Sequence, residues 1–486
     1  MLASKIFAAA DQTKFAALTG DYNPIHMDPV AARRTVVGSP VVHGIHTLLW
    51  LIDNVGAKHT DIDNVVAVKA RFFKPVHLGD LVEAWVVQLG PTSLRVQARV
   101  TGAEVISVVV TLGAPLARPP QLLTKLTAET VGRQGMPADL TLGEMENRTG
   151  RLLFTKELAG LGKEFPGATR LLGASRVEAL GCSTYLIGMV VPGLHSIYAG
   201  LDLRLFTDAD ISNELQYTVT TVDPRLRRVE LKVQGAGVSG VLNAFARVPP
   251  VLQPPMDAVA EHVTSGEFAK STALVVGGSR GLGEITGKLI AAGGGRVIIT
   301  YARGKTDAEN LAGEINAWGG RCEIAAYDIH KNADEQLEAL KRTPTHLYYF
   351  ATPMIFGGNA NYFSRERFAE FNEFYVHGFA RLVEATRRRA PEGIAVFYPS
   401  SVFVQNRPRH MTEYAMSKAA GEILCVDIAR SCKDVRVLAE RLPRLRTDQT
   451  STLIQVDAVS AVPIMLSIVR AMHAGNRSDH DVPVAL

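Results

Sequence analysis

The chain has 486 residues, of which 47% are apolar and 21% are charged, close to the values of ordinary globular proteins. This composition excludes a mostly disordered chain, a coiled coil and a collagen-like fibre. At about 150 residues per domain, the length predicts roughly three domains. The net charge of +4 is too small over this length to indicate nucleic-acid binding.

The cysteines and the apolar segments indicate the cellular compartment of the protein. The four cysteines are scattered and form no C-x-x-C pair, so neither a disulfide framework nor a zinc site is predicted, and we expect no metal. The apolar stretch at the N-terminus is interrupted by Asp11 and Lys14, unlike a signal peptide. No run of about 18 strongly apolar residues predicts a membrane span. We therefore expect a cytoplasmic protein that binds neither membranes nor nucleic acid.

Two proline-rich segments, at residues 114–121 and 247–257, divide the chain. Adjacent prolines cannot continue a helix or a central strand, and they form semi-rigid spacers. We predict one domain over residues 1–118, a second over residues 119–252 and a third over residues 265–486.

The first two predicted domains resemble each other. VVHGIHT at residues 41–47 pairs with VVPGLHS at residues 190–196, and an offset of 133 residues relates Val96 to Val229. The shared pattern indicates a duplication. In both domains a helix is followed by segments such as LVEAWVVQL and RRVELKVQG, whose alternation of apolar and polar residues predicts antiparallel strands. The fold class expected for these domains is α+β.

The third predicted domain has a different pattern. A buried-type strand, STALVV, is followed by a glycine-rich turn and the start of a helix. Further strands such as GRVIITYAR and GIAVFYPSS alternate with helical stretches such as TDAENLAGEINAWGG. This alternation predicts an α/β fold, in which helices cover both faces of a doubly wound parallel sheet.

Three blocks in the first domain point to a family. They are GDYNPIHMDPVAARR from residue 20, VVGSPVVHGIHTLLW from residue 36 and RFFKPVHLGD from residue 71. Taken alone, the first block also fits a loop with a simple N-cap. Together and in this order, the blocks resemble the MaoC-like hot-dog family of (R)-specific enoyl-CoA hydratases and 3-hydroxyacyl-thioester dehydratases. The resemblance implies a double hot-dog, with antiparallel sheets wrapped on central helices.

The same resemblance implies a catalytic pair, Asp21 and His26. Syn addition of water to an enoyl thioester needs a base for the water and an acid for the α-carbon, and a carboxylate with an imidazole supplies both. A backbone N–H at a helix start, implied at Gly44, stabilises the charge on the thioester oxygen. Asn23 is expected to orient the pair within the substrate site. Two further histidines are expected to be structural: His43 and His46.

The second domain is expected to lack this pair. Counting back from VVPGLHS puts Ser175 at the position of His26 and Arg170 at that of Asp21, and neither can do acid–base work. Hot-dog domains usually work in pairs, so the second copy is expected to complete a pseudo-dimer and part of an acyl tunnel. The alternative is a scaffold that does not contact the ligand.

The glycine-rich turn of the third domain is similar to the fingerprint T-G-x-x-x-G-x-G of the short-chain dehydrogenase/reductase family, with Val276 in place of the threonine. Glycines between a strand and a helix let a pyrophosphate approach the helix N-terminus, as in the Rossmann fold. The resemblance implies cofactor contacts from these residues: Gly277, Ser279, Arg280, Gly281, Leu282 and Gly283.

The cofactor is expected to be NADPH rather than NADH. No acidic residue ends the second strand, IITYARGK, where a NAD-binding fold places one. Arg303 lies near that point and Arg280 lies in the glycine-rich turn, and two guanidinium groups suit a 2′-phosphate. The family pattern also implies cofactor contacts from Asp328, Ala351 and Thr447.

Tyr414 and Lys418 match the family pattern Y-x-x-x-K, and Ser401 precedes Tyr414 at the family spacing. One helical turn brings Lys418 beside Tyr414, where its charge is expected to favour the phenolate. Tyr414 would then give its proton to a carbonyl during hydride transfer, and both residues would also contact the cofactor. One departure from the family is Tyr375, which replaces the asparagine of its proton relay.

These features predict a bifunctional enzyme: an NADPH-dependent 3-oxoacyl-thioester reductase and an (R)-3-hydroxyacyl-thioester dehydratase or enoyl hydratase. The expected partners are an acyl-CoA or acyl-carrier-protein thioester and further copies of the chain, in a dimer or tetramer. The expected setting is fatty-acid-like, polyketide or hydroxyalkanoate metabolism. Two alternatives stay open: a hydratase whose reductase domain is a nucleotide-binding or regulatory module, and a non-catalytic assembly protein of a synthase complex.

Overall fold

The computed structural model describes residues 1–35, 37–116, 128–130, 135–206, 212–355, 362–447 and 459–474. These residues form two compact units, which divide between Pro249 and Pro250. The second predicted joint contains this division, whereas most of the first joint lies outside the described residues. Among the described residues, no helix is long and apolar enough to cross a membrane.

The N-terminal unit is built on a single sheet. Its strands are β1 (Ala3–Ile6), β2 (Val65–Phe72), β3 (Leu81–Leu89), β4 (Ser93–Val100), β5 (Ala103–Leu112), β6 (Ala128–Thr130), β7 (Thr149–Leu153), β8 (Ser196–Leu205), β9 (Glu214–Asp223), β10 (Arg228–Gly235) and β11 (Val238–Ala246). Its helices are α1 (Ala9–Thr19), α2 (Pro24–Met27), α3 (Pro29–Arg33), α4 (Gly44–Lys58), α5 (Leu142–Met145), α6 (Gly160–Glu164), α7 (Pro166–Leu172) and α8 (Ala174–Tyr185), which runs into a π-helical turn over Leu186–Val190.

The order of the strands repeats about the centre of the sheet. The central pair is β2 and β8; β5, β4, β3 and β1 follow on one side, and β11, β10, β9 and β7 follow on the other. The central pair is antiparallel, with Lys69 opposite Asp202 and Arg71 opposite Gly200. Lys69 and Asp202 are 133 residues apart, which is the offset found in the sequence. The two halves of the unit are therefore related by a local twofold axis at this pair.

Helix α4 forms the centre of the apolar core because it is hydrophobic on nearly all sides, and ten of its residues are buried. It crosses α7 closely where Gly56 meets Gly167, since a Cβ at Gly56 would lie 2.0 Å from the Gly167 carbonyl oxygen. The Asp53 carboxylate of α4 accepts hydrogen bonds from the backbone N–H groups of Gly167 and Ala168, at 2.7 and 3.2 Å. These contacts join the second half of the unit to the first.

One expectation about the repeat is wrong. VVHGIHT begins helix α4, whereas VVPGLHS follows the π-helical turn and leads into β8, so the two segments are not equivalent. They look alike because both combine an apolar run with a glycine turn. Ser175 and Arg170 are therefore not the counterparts of His26 and Asp21. The 133-residue offset instead places Ala159 and Phe154 at those positions, and neither carries an acid–base group.

The C-terminal unit alternates strands and helices. Its strands are β12 (Thr272–Val276), β13 (Arg296–Tyr301), β14 (Arg321–Ala326), β15 (His346–Tyr349), β16 (Ile394–Ser401) and β17 (Val435–Leu442). Its helices are α9 (Met256–Ala260), α10 (Gly281–Ala292), α11 (Lys305–Ala317), α12 (Ala333–Glu338), α13 (Arg365–Asn372), α14 (Phe379–Arg389), α15 (Phe403–Asn406), α16 (Thr412–Ser431) and α17 (Ala461–His473), with a π-helical turn over Glu373–Gly378.

The sheet of this unit is parallel, with the order β14-β13-β12-β15-β16-β17. Successive residues of β12 alternate between two apolar cores: Ala273 and Val275 face α10, α11 and α17, and Leu274 and Val276 face α12, α13, α14 and α16. The predicted α/β fold with helices on both faces is confirmed.

Candidate active sites

Asp21 lies in the loop between α1 and α2 and is 1% exposed. Helix α1 ends at Gly20, whose φ of 76° turns the chain inward, a conformation that favours glycine. One carboxylate oxygen of Asp21 accepts a hydrogen bond from the Thr184 hydroxyl at 2.7 Å, and the other accepts the Asn23 backbone N–H at 3.2 Å. The carboxylate is therefore held from two sides.

His26 is presented by the short helix α2. This helix begins at Pro24 and is capped by the Asn23 side chain, which accepts the Ile25 N–H at 3.1 Å. The Nδ1 atom of His26 lies 2.8 Å from the Val41 carbonyl oxygen, so Nδ1 carries the proton and Nε2 keeps a free lone pair. A carboxylate oxygen of Asp21 lies within 4.8 Å of a His26 ring nitrogen, a separation that one water molecule bridges.

Of the two other histidines of this region, His43 packs against the pair and His46 packs against nearby aromatic rings. The ring of His43 stacks on that of His26 with centroids 3.8 Å apart, and its Nε2 lies 3.0 Å from the Asp21 carbonyl oxygen. His46 stacks on Phe15 at 4.4 Å. Burial holds the pKa of His43 well below its usual value and lowers that of His46 to about 3, so both are neutral.

Gly44 and Asn23 differ in what they offer a substrate. Gly44 is the first residue of α4, and His43 before it gives no side-chain cap, so a backbone N–H is available at this helix start. The Asn23 amide is fully buried and donates to the carbonyl oxygens of Gly188 and Gly193, at 2.7 and 3.0 Å. Asn23 thus ties the catalytic loop to the second half of the unit.

The surroundings of the pair shift Asp21 toward its protonated form and His26 toward its neutral form. Burial raises the pKa of Asp21, although His26, the Thr184 hydroxyl and the Asn23 N–H act against this shift. Burial lowers the pKa of His26, the charge of Arg247 lowers it further, and Asp21 opposes the shift.

Sequence reasoning missed Arg247 because the residue begins the proline-rich joint. It is 4% exposed, and its guanidinium donates to the Leu194 carbonyl oxygen at 2.8 Å. The same carbonyl lies 3.5 Å from the Asn23 amide nitrogen. The hydrophobicity pattern around Arg247 gave no signal for this placement, which depends on contacts between distant segments.

In the C-terminal unit, the glycine-rich turn fits a dinucleotide. Gly277 and Gly281 have φ of 72° and 60°. A Cβ at Gly277 would lie 2.9 Å from the Ala351 nitrogen, and one at Gly283 would lie 2.6 Å from the Gly277 oxygen, so glycine is needed for packing. Gly281 has room, since its nearest neighbour there is Thr447 at 3.7 Å. Within the described residues no side chain caps α10, which leaves its first N–H groups to a pyrophosphate.

Two other residues expected at the cofactor, Arg303 and Asp328, lie after the carboxyl ends of strands β13 and β14. Arg303 follows β13 and is exposed, and Arg280 is half-buried at the start of α10. Asp328 follows β14, and its carboxylate accepts the His330 N–H at 3.0 Å. Ser279 and Leu282, within the turn, are also half-buried.

Ser401, Tyr414 and Lys418 come together where β16 meets α16. Burial raises the pKa of Tyr414 to about 12, although the Ser401 hydroxyl acts in the opposite direction. The ammonium of Lys418 donates to the Pro399 carbonyl oxygen at 2.6 Å, and burial lowers its pKa to about 7.

The ammonium of Lys418 lies nearer to two other aromatic rings than to the ring of Tyr414. The lysine nitrogen lies 5.9 Å from the centre of the Tyr414 ring but 3.8 Å from that of Tyr375 and 5.0 Å from that of Tyr398. Aromatic faces surround the ammonium, and burial dominates the pKa of Tyr414. The hydroxyl of Tyr375 contacts the Thr352 hydroxyl at 2.5 Å.

Comparison with known proteins finds a different relationship for each of the two units. Residues 4–110 match the family model MaoC like domain, and residues 271–458 match the model short chain dehydrogenase. The (R)-specific enoyl-CoA hydratase of Aeromonas caviae is 32% identical over 124 residues, which are 25% of this chain and 89% of the hydratase.

A 3-oxoacyl-[acyl-carrier-protein] reductase from a Synechocystis species is 42% identical over 71 residues, 15% of this chain and 28% of that reductase. A short chain dehydrogenase from Burkholderia cenocepacia, solved in complex with NADP, is 22% identical with a TM-score of 0.38, covering 42% of this chain and 91% of that one.

The chain belongs to the MaoC-like hydratase family through its N-terminal residues, and a short-chain dehydrogenase domain follows. It is thus an enzyme with a lyase domain and an oxidoreductase domain, and the second domain is of a class that uses a nicotinamide cofactor.

Proposed function

We propose that this chain reduces a 3-oxoacyl thioester and removes water from the resulting (R)-3-hydroxyacyl thioester, or catalyses the reverse hydration. The main support is that one chain holds both sets of groups: Asp21 with His26 in the first unit, and Ser401 with Tyr414 and Lys418 in the unit that carries the glycine-rich turn. The two reactions are consecutive, because the product of the reduction is the substrate of the dehydration. Fusion keeps the shared intermediate at a high effective concentration.

In the hydration step, Asp21 would be the proton donor and His26 the base, the roles toward which their pKa shifts point. His26 Nε2 takes a proton from water while the water oxygen bonds to C3 of the enoyl thioester. The Asp21 carboxyl gives its proton to C2, so the pair as a whole neither gains nor loses a proton. The N–H of Gly44 would stabilise the charge that develops on the thioester oxygen. Dehydration is the same sequence in reverse.

In the reductase site, a nicotinamide cofactor supplies hydride when bound. The Ser401 hydroxyl orients the substrate carbonyl, and Tyr414 donates a proton to its oxygen. The turn over residues 277–283 and the start of α10 would hold the pyrophosphate. In its protonated form, Lys418 would supply a positive charge near Ser401 and Tyr414.

We further propose that the cofactor is NADPH. Arg303 is exposed after β13, where its guanidinium is available to a 2′-phosphate, and the strand ends without a carboxylate that would repel it. Asp328, Ala351 and Thr447 would line the rest of the dinucleotide site.

We also propose that the second half of the N-terminal unit is a diverged hot-dog copy that completes a pseudo-dimer. The repeated strand order and the twofold register at Lys69 and Asp202 support this. The acyl group would arrive on coenzyme A or a carrier protein. The chain itself would assemble into a homodimer or homotetramer.

The position of Lys418 favours a second candidate, in which only the hydratase works and the reductase domain binds a nucleotide. Two separate assays on the full chain distinguish the bifunctional enzyme from this second candidate. One measures hydration of crotonyl-CoA, and the other measures NADPH oxidation with acetoacetyl-CoA. The proposal expects both activities. Asp21→Asn should remove the first activity and Tyr414→Phe the second. Absence of NADPH oxidation in the wild type, with NADPH bound, would support the second candidate.

A further inference from the structure

The second half of the N-terminal unit reaches directly into the acid–base site. Thr184, on α8, is 3% exposed, and its hydroxyl donates to Oδ2 of Asp21 at 2.7 Å. One turn further, Gly188 lies against the same carboxylate, since a Cβ there would be 2.3 Å from Oδ1 of Asp21. These contacts join residues more than 160 positions apart in the chain.

A buried carboxylate needs such donors. An ionised carboxyl group removed from water is costly unless hydrogen bonds replace its solvation. Oδ1 of Asp21 accepts the Asn23 N–H, and Oδ2 accepts the Thr184 hydroxyl, so the two bonds together fix the plane of the group. Without Thr184, the carboxylate would be free to turn about its last torsion, which is broad and roughly two-fold.

The π-helical turn over Leu186–Val190 brings Gly188 to this place. A π-helical turn shifts the register of a helix by a residue and is frequent at functional sites. With glycine at position 188, the helix backbone approaches Asp21 closely, and any side chain there would occupy the space of the carboxylate.

We propose that Thr184 and Gly188 are positioning residues of the hydratase site, through which the second half holds the Asp21 carboxylate in line with His26. The second half is then a working part of the site although its own positions 154 and 159 carry no acid–base groups. This inference rests on the proposed hydratase function. A purely structural role would instead affect the stability of the unit and leave the chemistry of Asp21 unchanged.

The titratable groups that face Asp21 are His26 from α2 and His43 from the start of α4, whose Nε2 lies 3.8 Å from Oδ2. Arg247 acts on His26 from the end of β11. The Thr184 hydroxyl stabilises the ionised form of Asp21. Its removal should therefore move the alkaline limb of the hydratase pH profile upward and leave the acid limb in place.

The test compares Thr184→Val, which keeps the shape, with Thr184→Ser, which keeps the hydroxyl, in the full chain. For crotonyl-CoA hydration we expect Thr184→Val to lower kcat about tenfold with little change in KM, and to raise the alkaline limb. Thr184→Ser should recover most of the loss. Ser183→Ala is the matched control, because the neighbouring hydroxyl bonds to the Leu180 carbonyl oxygen and not to Asp21. An unchanged kcat and pH profile in Thr184→Val would overturn the proposal.

Gly188→Ala gives a second readout should Thr184→Val fold poorly. The added methyl should displace the Asp21 carboxylate and lower kcat, although alanine is the better helix former. A third readout does not need turnover. The carboxyl stretching band of Asp21 is measured by infrared spectroscopy as a function of pH, and the band is assigned by its absence in Asp21→Asn. If the wild type lacks hydratase activity, the proposed function fails, and the positioning role is still decided by whether Thr184→Val raises this titration.

Discussion

The ammonium of Lys418 lies 3.8 Å from the centre of the Tyr375 ring and 5.9 Å from the centre of the Tyr414 ring. The same nitrogen donates to the Pro399 carbonyl oxygen. Tyr375 stands where the family has an asparagine, so the substitution provides an aromatic face for a buried cation. The lysine is held by this face as well as by a hydrogen bond.

Substitution of Tyr375 should separate the roles of its ring and its hydroxyl. Tyr375→Phe keeps the ring and loses only the contact with Thr352, so the reductase should titrate as in the wild type. Tyr375→Leu removes the cation–π contact, which contributes about 0.5 to 2 kcal/mol, and should lower the apparent pKa of Lys418 by roughly one unit. The pH dependence of NADPH oxidation measures this. Equal profiles for Tyr375→Leu and Tyr375→Phe would show that the ring does not hold the ammonium.

The reductase should be most active on the acid side of neutrality. Burial lowers the pKa of Lys418 to about 7, so its charged form is present below that pH and is lost above it. Tyr414, with a pKa raised to about 12, keeps its proton throughout and remains a donor. We expect kcat for ketone reduction to fall as pH rises through about 7. A rate that stays level from pH 6 to pH 9 would contradict this account of Lys418.

Arg247 should act on the hydratase through His26. Its positive charge lowers the pKa of His26, which must be neutral to take a proton from water. Arg247→Met should therefore raise the acid limb of the hydratase pH profile, because a neighbouring cation has been removed. Arg247→Lys keeps the charge and serves as the control. An acid limb that is the same in Arg247→Met and the wild type would argue against this influence.

Arg303 should set the choice of cofactor. A charge-assisted hydrogen bond is worth about 1.5 to 3 kcal/mol, and 1.4 kcal/mol is tenfold in affinity, so Arg303→Ala should weaken NADPH at least about tenfold. Its affinity for NADH, which lacks the 2′-phosphate, should change little. Titration of cofactor fluorescence measures both. Arg342→Ala is the control, since Arg342 precedes β15 and pairs with Glu323, away from the glycine-rich turn. A parallel loss of both cofactors would refute the assignment.

Much of the fold could be read from the sequence because the signals are local. The alternation in LVEAWVVQL and SLRVQARV corresponds to β3 and β4 residue for residue. The turn before α10 was visible because its glycines adopt conformations that other residues avoid. Local similarity was also the cause of one error. VVHGIHT and VVPGLHS look alike because an apolar run with a glycine can begin a helix, as at α4, or follow one, as before β8.

The parts of the sites that depend on distant contacts could not be read in this way. Thr184 and Gly188 approach Asp21 only because α8 packs against the loop after α1, and no periodicity records that contact. Arg247 looked like the start of a joint because prolines follow it. The Y-x-x-x-K spacing located Lys418 but not the direction of its ammonium, which the rings of Tyr375 and Tyr398 determine.

The central claim, that one chain performs two consecutive reactions, has a direct test. The full chain is incubated with acetoacetyl-CoA and NADPH, and the thioester products are identified by mass. The account predicts 3-hydroxybutyryl-CoA together with crotonyl-CoA from the wild type, only 3-hydroxybutyryl-CoA from Asp21→Asn, and neither from Tyr414→Phe. Unchanged acetoacetyl-CoA in the wild type, or crotonyl-CoA still formed by Asp21→Asn, would contradict it.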